Sequence, residues 1–358
     1  MILRRNPVPI LLPLRGGGMA EGGRRGAWMI RGFVCREGAL HPVVLDPGDG
    51  ATAPLPEDPV WIDLVQPTAQ EASAIGAALG FEIPSIEAMR EIEISSRLVR
   101  RGDVLFMTAN IPADRGGWLE NGPVTFILAP DRLLTLRYHA PRPFDTLPAR
   151  IGRLGLGCAA PATVLVALFE AVVDDLADMV EEVGRRIERL SHAVFAANGE
   201  DPGGGEARAL DDVLGAIGRA DDALSKLRES LATFGRVAGF LVRQPDRGTL
   251  DAALERRMQT VSEDVRSLVD HTAFLAGKIT FLLDATMGLI NIEQNAIIKI
   301  FSVVAVVFLP PTLIASIYGM NFRHMPELDW PWGYPLALGA MVLSAILPWL
   351  YFRWRGWM

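Results

Sequence analysis

The chain has 358 residues, 50% of them hydrophobic and 22% charged, with 35 Lys and Arg against 42 Asp and Glu for a formal net charge of −7. That length can bury one or two cores, which excludes disorder, collagen-like repeats and a disulfide mini-scaffold, and the mild acidity argues against a nucleic-acid binder, which wants a basic stripe. A mean hydropathy of +0.24 is high for a soluble domain and points to segments that sit in lipid.

The first stretch, 1–27, is a poorly defined N-terminal extension. Its apolar run MILRRNPVPILLPLRGGG is short and broken by Pro7, Pro9 and Pro13, so it fits a cleaved signal poorly, and Met19 competes with Met1 as the initiator. Residues 28–160 read as an α/β domain. WMIRGFVC, HPVVLD, VWIDLV, VLFMTANI, PVTFILA and RLLTLRY are strand-like, rich in Val, Ile, Phe and Leu and punctuated by Pro, Gly and Asp. Between them TAQEASAIGAALG opens with Thr68 and Glu71 at capping-box spacing, which predicts a helix. Cys35 and Cys158 lie far apart and form no CxxC, so neither a disulfide framework nor a thiolate metal site is expected.

From Pro161 the pattern is helical to residue 299. One helix covers PATVLVALFEAVVDDLADMVEEVGRRIERLSHAVFA. The loop NGEDPGGGE follows, then a helix from Ala207 to about Arg243, and from Leu250 a periodic segment that meets no helix breaker before Pro310. A helix of that length calls for a coiled-coil, repeat or membrane explanation, and here it reads as a stalk running into the bilayer. Residues 161–290 hold 14 basic against 22 acidic residues, a local −8. Acids such as Asp174, Asp175, Asp178, Glu181 and Glu182 form either a solvated face or a surface that collects divalent cations.

Residues 300–318 carry no charge, and at 1.5 Å per residue they reach about 28 Å, the thickness of a bilayer core. A second uncharged run, 330–352, has Trp330, Trp332 and Tyr334 at one end and Trp349, Tyr351 and Trp354 near the other, as an interfacial belt would. The loop between them, 319–329, sets Arg323 against Glu327 and Asp329, whereas the tail 353–358 holds Arg353 and Arg355 with no acid. The positive-inside rule therefore places both termini in the cytoplasm.

Two spans cannot enclose an aqueous path, so a pore built from them needs a symmetric oligomer, and its axis should be visible as a stripe. Stepping alternately four and three residues gives Asn291, Asn295, Ile298, Ser302, Ala305, Leu309, Thr312 and Ser316, with Asp284 one heptad before Asn291. The stripe is polar at both ends and small or apolar between them. A packing stripe would also hold small residues, and membrane Ser and Thr often bond their own backbone. Pro310 and Pro311 interrupt helix hydrogen bonding inside the span, and Gly319 after Tyr318 can turn the chain.

The run NIEQNAIIKIFSVVAVVFLPPTLIASIYGMNFRHMPELDWPWGYP, with GMN at Gly319, Met320 and Asn321 and MPEL at 325–328, closely resembles the CorA magnesium and cobalt channel family. The match is dense from about Asp264 to Met358 and thinner upstream. The resemblance implies a funnel-shaped homopentamer: an α/β cytoplasmic domain, long stalk helices and two C-terminal transmembrane helices, the first lining the pore. It implies a selectivity filter at Gly319, Met320 and Asn321, and pore positions at Asp284, Asn295, Ile298, Phe301, Leu309 and Thr312. Phe301 is one residue off the stripe, so Phe301 and Ser302 both stand as candidates to face the axis. It also implies Mg2+ as the transported and the regulatory ion, Co2+ as an alternative substrate and Ni2+ as a further candidate, taken up across a bacterial inner membrane. Where the family binds regulatory Mg2+, this chain has Thr260 with Glu263 and Asp264 nearby. The implied partners are further copies of the chain and membrane lipid, with no nucleic acid and no small organic substrate.

Enzymes are the rival class. Histidines 41, 139, 192, 271 and 324 form no HExxH, GxSxG is missing, and GRLGLG at 152–157 lacks the preceding strand of a phosphate loop. The zinc-transporting branch of the same superfamily shares GMN but tends to differ in the following loop, and MPEL favours the magnesium branch. A membrane-anchored scaffold would need neither the polar stripe nor GMN.

Overall fold

A computed structural model describes residues 30–44, 59–91, 93–196, 206–243, 250–321, 325–326 and 330–357. The N-terminal extension with both candidate initiators, most of the 198–206 loop, Arg323, His324, Glu327, Leu328 and Asp329 lie outside them.

The first unit is a sheet between two helical layers. Its strands are β1 (Ile30–Arg36), β2 (Ala39–Val44), β3 (Trp61–Val65), β4 (Leu98–Arg101), β5 (Val104–Asp114), β6 (Leu119–Leu128) and β7 (Leu133–Arg137). They lie in the order β2-β1-β3-β7-β6-β5-β4, with β3 and β7 parallel and all other neighbours antiparallel. Side chains alternate between faces, as the period of a strand requires. Trp61, Met107, Phe126 and Leu133 enter the core shared with the long helices, while Ile62, Phe106, Ile127 and Leu134 pack beneath α1 (Ala69–Leu79) and α2 (Ile86–Arg90). The central pair β3 and β7 is buried at every residue, the pattern of a parallel pair covered on both sides. Thr68 and Glu71 close the expected capping box at the start of α1.

Charge sits inside this sheet. Asp63 is fully buried and accepts from Arg137 (Nη2 to Oδ2, 2.9 Å), Arg31 (Nη2 to Oδ2, 2.6 Å) and Thr135 (Oγ1 to Oδ1, 2.8 Å), while Trp61 Nε1 donates to Thr135 Oγ1 at 3.0 Å. The carboxylate thus neutralises a nearly buried guanidinium and joins β1, β3 and β7. Asp63→Ala is expected to lower stability by about 3–5 kcal/mol, because Arg137 would remain charged and buried with only the longer pair to Asp145 at 3.6 Å. Urea unfolding followed by tryptophan fluorescence would measure it.

Four elements were not legible from the sequence: α2, α3 (Ile94–Arg97), β4 and α4 (Arg142–Leu154). GRLGLG is the end of α4 and its exit, with Gly155 and Gly157 at φ of +61° and +79°. That left-handed exit brings Cys158 back to β1, where it is disulfide-bonded to Cys35 across a Cα–Cα distance of 5.5 Å. The expectation of unpaired cysteines is corrected: a sequence separation of 123 concealed two neighbours in one core.

The long helices are α5 (Pro161–Ala196), α6 (Glu206–Val242), α7 (Ala252–Tyr318) and α8 (Gly333–Trp354). Asp251 caps α7, its carboxylate accepting from the N–H groups of Ala253 (2.9 Å) and Leu254 (2.8 Å). The helix then runs unbroken for 67 residues, about 100 Å, through Pro310 and Pro311. Arg257 holds α7 to α5 with a two-pronged pair to Glu170 at 2.7 and 2.8 Å, and Lys278 pairs with Glu188 farther along.

Candidate functional site

The packing of α7 defines two opposite faces. Leu254, Met258, Val261, Val265, Leu268, Thr272, Leu275, Ile279, Leu282, Thr286 and Leu289 follow one strict alternation of four and three residues, and all are buried or half-buried. This is the coiled-coil period, and it is the seam that meets α5 and α6. The same frame lapses at Ala296 and Ile300, then resumes at Val303, Val307, Pro310 and Ile314, which are buried or half-buried in the stretch packed on α8. One register therefore serves both the stalk and the apolar segment.

Every residue of the polar stripe stands two positions after a position of this frame, a rotation of about 200° around the helix, although at Ala296 and Ile300, ahead of Ile298 and Ser302, the frame itself is exposed. Asp284, Asn291, Asn295, Ile298, Ser302, Ala305, Leu309, Thr312 and Ser316 accordingly lie on the face turned away from the rest of the chain, and all are exposed. Ile298 and Leu309 expose 61% and 65% of their surface, large values for residues that no neighbour in the same chain covers. Phe301 is exposed as well, but it stands one position after the frame, about 100° from the stripe; Ser302 is on the stripe.

Two hydroxyls of the stripe donate to their own helix, Ser302 Oγ to the Ile298 carbonyl and Thr312 Oγ1 to the Phe308 carbonyl, both at 2.7 Å. With the proton committed to the backbone, each offers outward only oxygen lone pairs. That suits a ligand presenting hydrogens, as a hydrated cation does. Pro310 and Pro311 cannot donate to the carbonyls of Val306 and Val307, yet the helix continues past both.

The GMN triplet closes the helix. Gly319 caps α7 and the chain turns there, its N–H donating to Ala315 O at 2.9 Å, with an ordinary φ of −86° rather than a left-handed one. A Cβ there would lie 3.1 Å from the Ala315 carbonyl oxygen, a tight approach. Met320 and Asn321 follow, both exposed at the end of the stripe.

At the other end of α7, Glu263 and Asp264 are exposed beside the buried Val261 and Val265. Among the described residues no three His, Cys, Asp or Glu side chains gather as metal ligands. The stripe extends farther down the stalk than the sequence reading took it. Two positions after the seam residues Thr272 and Ile279 lie Phe274 and Phe281, 65% and 58% exposed, and extending the alternation below Asp284 would have found them.

The fold and this face define a class: an α/β domain on a helical stalk whose last helix, with one hairpin partner, is long and apolar enough to cross a membrane, only 6% of each apolar window being covered by the chain itself. The family described as CorA-like Mg2+ transporter protein matches residues 56–354. The magnesium transport protein CorA of Haemophilus influenzae is 35% identical over 331 residues, 92% of this chain and all of that protein. Its Salmonella typhimurium namesake is 36% identical over 307 residues, 84% of this chain and 92% of that one. Among solved structures, the CorA magnesium transporter from Methanocaldococcus jannaschii superposes with a TM-score of 0.70 at 20% identity, over 93% of this chain and all of the other. The cytoplasmic domain of ZntB from Vibrio parahaemolyticus reaches 0.53 at 10% identity, over 74% of this chain and 99% of that one, a likeness of fold alone. The chain belongs to the CorA family of membrane transport proteins.

Proposed function

We propose that this protein is a homopentameric Mg2+ channel of a bacterial inner membrane, with both termini cytoplasmic, that also passes Co2+ and, as a further candidate, Ni2+. The observation that carries the reading is the exposed stripe on α7, diametrically opposite the seam the chain uses for itself and ending at Gly319, Met320 and Asn321. A face of Ile298, Leu309 and Phe274 left open by one chain is covered when copies gather around an axis, and in the lipid-facing segment the polar members then line a water path.

The ion fits the donors. Mg2+ takes six oxygens at short range and surrenders water reluctantly, so a filter that receives the hydrated ion is cheaper than one that strips it. Rings of Asn321 carbonyl oxygens and Thr312 lone pairs accept from first-shell waters; Leu309 and Ile298 form apolar constrictions that close by dewetting, with Phe301 at their flank; Asn291, Asn295 and Asp284 line the inner end. Glu263 and Asp264 contribute to regulatory Mg2+ binding between subunits. Zinc transport by the same scaffold is the alternative, and the relatives named for magnesium transport at about 35% identity favour Mg2+.

Flux into proteoliposomes with Mg2+ outside tests the reading. Mg2+ and Co2+ are expected to enter and to compete. Entry of Zn2+ without Mg2+ would move the protein to the zinc branch, and no flux of any divalent ion would refute the channel.

A further inference from the structure

We infer that the inner end of the two apolar helices is a binding site for the phosphate of an anionic phospholipid, built from Lys299, Arg353 and Arg355. The inference rests on the reading that α7 and α8 cross a membrane.

All three cations are exposed, and each is held against an aromatic ring. Arg353 lies 5.2 Å from the centre of Trp349, Arg355 5.7 Å from Tyr351 and Lys299 5.8 Å from Trp357. Ring faces take up the positive charge without consuming its N–H donors, so the guanidinium forks and the ammonium remain free for phosphate oxygens. Trp357 reaches α7 through a built terminus. Gly356, at φ +70°, lets its N–H donate to the Arg353 carbonyl (3.2 Å) and the Trp357 N–H to the Phe352 carbonyl (3.1 Å), the Schellman pattern. The hydrophobic contact that accompanies such an ending is the Phe352–Trp357 stack at 5.5 Å. The tail is thereby folded back onto α7, gathering cations from two helices at one level.

Acids are sparse around them. The acid nearest in sequence on α7 is Glu293, six residues before Lys299, and from Gln294 to Met358 the only acidic side chains are Glu327 and Asp329, in the loop at the opposite end of the spans. Three fixed cations among exposed indole and phenol rings match the headgroup layer, where the rings sit at the lipid–water boundary and the phosphates supply the missing charge.

The test equilibrates detergent-purified protein with an equimolar mixture of phosphatidylglycerol and phosphatidylcholine and counts retained lipids by native mass spectrometry. Wild type is expected to retain phosphatidylglycerol preferentially, with roughly fivefold of the preference lost per cation removed in Lys299→Gln and in the double variant Arg353→Gln/Arg355→Gln. Arg353→Lys/Arg355→Lys should keep it, and millimolar inorganic phosphate should not displace it. Equal retention of the two lipids by wild type, an unchanged preference in Lys299→Gln and the double Gln variant, or displacement by free phosphate would overturn the site. Wild type holding no lipid of either kind would overturn the site alone, whereas recovery of the protein in the soluble fraction without detergent would remove the membrane-spanning reading, so the two failures are distinguishable.

Discussion

Asn321→Ala is expected to reduce Mg2+ and Co2+ uptake to background while the assembled protein keeps its size. Asn321 is exposed at the end of α7, beyond the last seam residue, so its truncation removes an oxygen from the mouth without opening a cavity in any core. The loss is functional because a neutral amide oxygen accepts from the waters around Mg2+, whereas a methyl group leaves the hydrated ion to give up bulk solvation for nothing. Asn321→Asp should fail differently, with tighter ion binding and slow release, since a ring of carboxylates holds a divalent cation too strongly to conduct. Radiotracer Co2+ uptake alongside size-exclusion chromatography separates these outcomes from simple loss of assembly. Near-normal uptake in the alanine variant would place the filter elsewhere.

Channel current is expected to fall by roughly 5- to 150-fold as Mg2+ on the cytoplasmic side rises from zero to saturation, the span of ordinary allosteric couplings. The stalk region carries a net −8 between residues 161 and 290, and Glu263 and Asp264 stand exposed on α7. In the proposed pentamer, like-charged surfaces of neighbouring subunits would repel without ions and loosen the closed arrangement; Mg2+ bridging them would bind the closed state better and raise its population. Glu263→Gln/Asp264→Asn should blunt the response while leaving the open-channel current unchanged. A wild-type current indifferent to internal Mg2+ would refute the feedback. A variant responding as wild type does would clear these two residues of the sensor role.

The parts of the molecule governed by one local period were visible in the sequence. The strands around Trp61, Phe126 and Leu134, the Thr68 cap of α1 and the uninterrupted α7 each announce themselves within a few residues of context. What escaped depended on tertiary partners. The α4 helix carries Pro143 and Pro148, which discourage a helical reading, and its place against α5 and β2 outweighs them. The edge strand β4 is four residues with two arginines and gains its identity only from pairing with β5. Cys35 and Cys158 became neighbours because two left-handed glycines redirect the chain. The polar stripe was legible as a pattern. That it faces away from the chain's own helices was not, because the seam that decides it is defined by α5, α6 and α8.

Since α7 has no joint between its capped start and Tyr318, it behaves as a torsion rod whose two ends must turn together. Torque applied to the stalk seam would reach Leu309 and Thr312 through a helix that continues past Pro310 and Pro311 although they remove two of its hydrogen bonds, and α8, packed on the same flank, would swing with it. At a side-chain radius of about 5.5 Å, a twist of about 15° carries the tip of Leu309 sideways by about 1.4 Å, roughly half the width of a water molecule. In the proposed channel, small angular strain among the stalk helices would thereby become, some tens of ångströms away, the difference between a wet and a dry constriction.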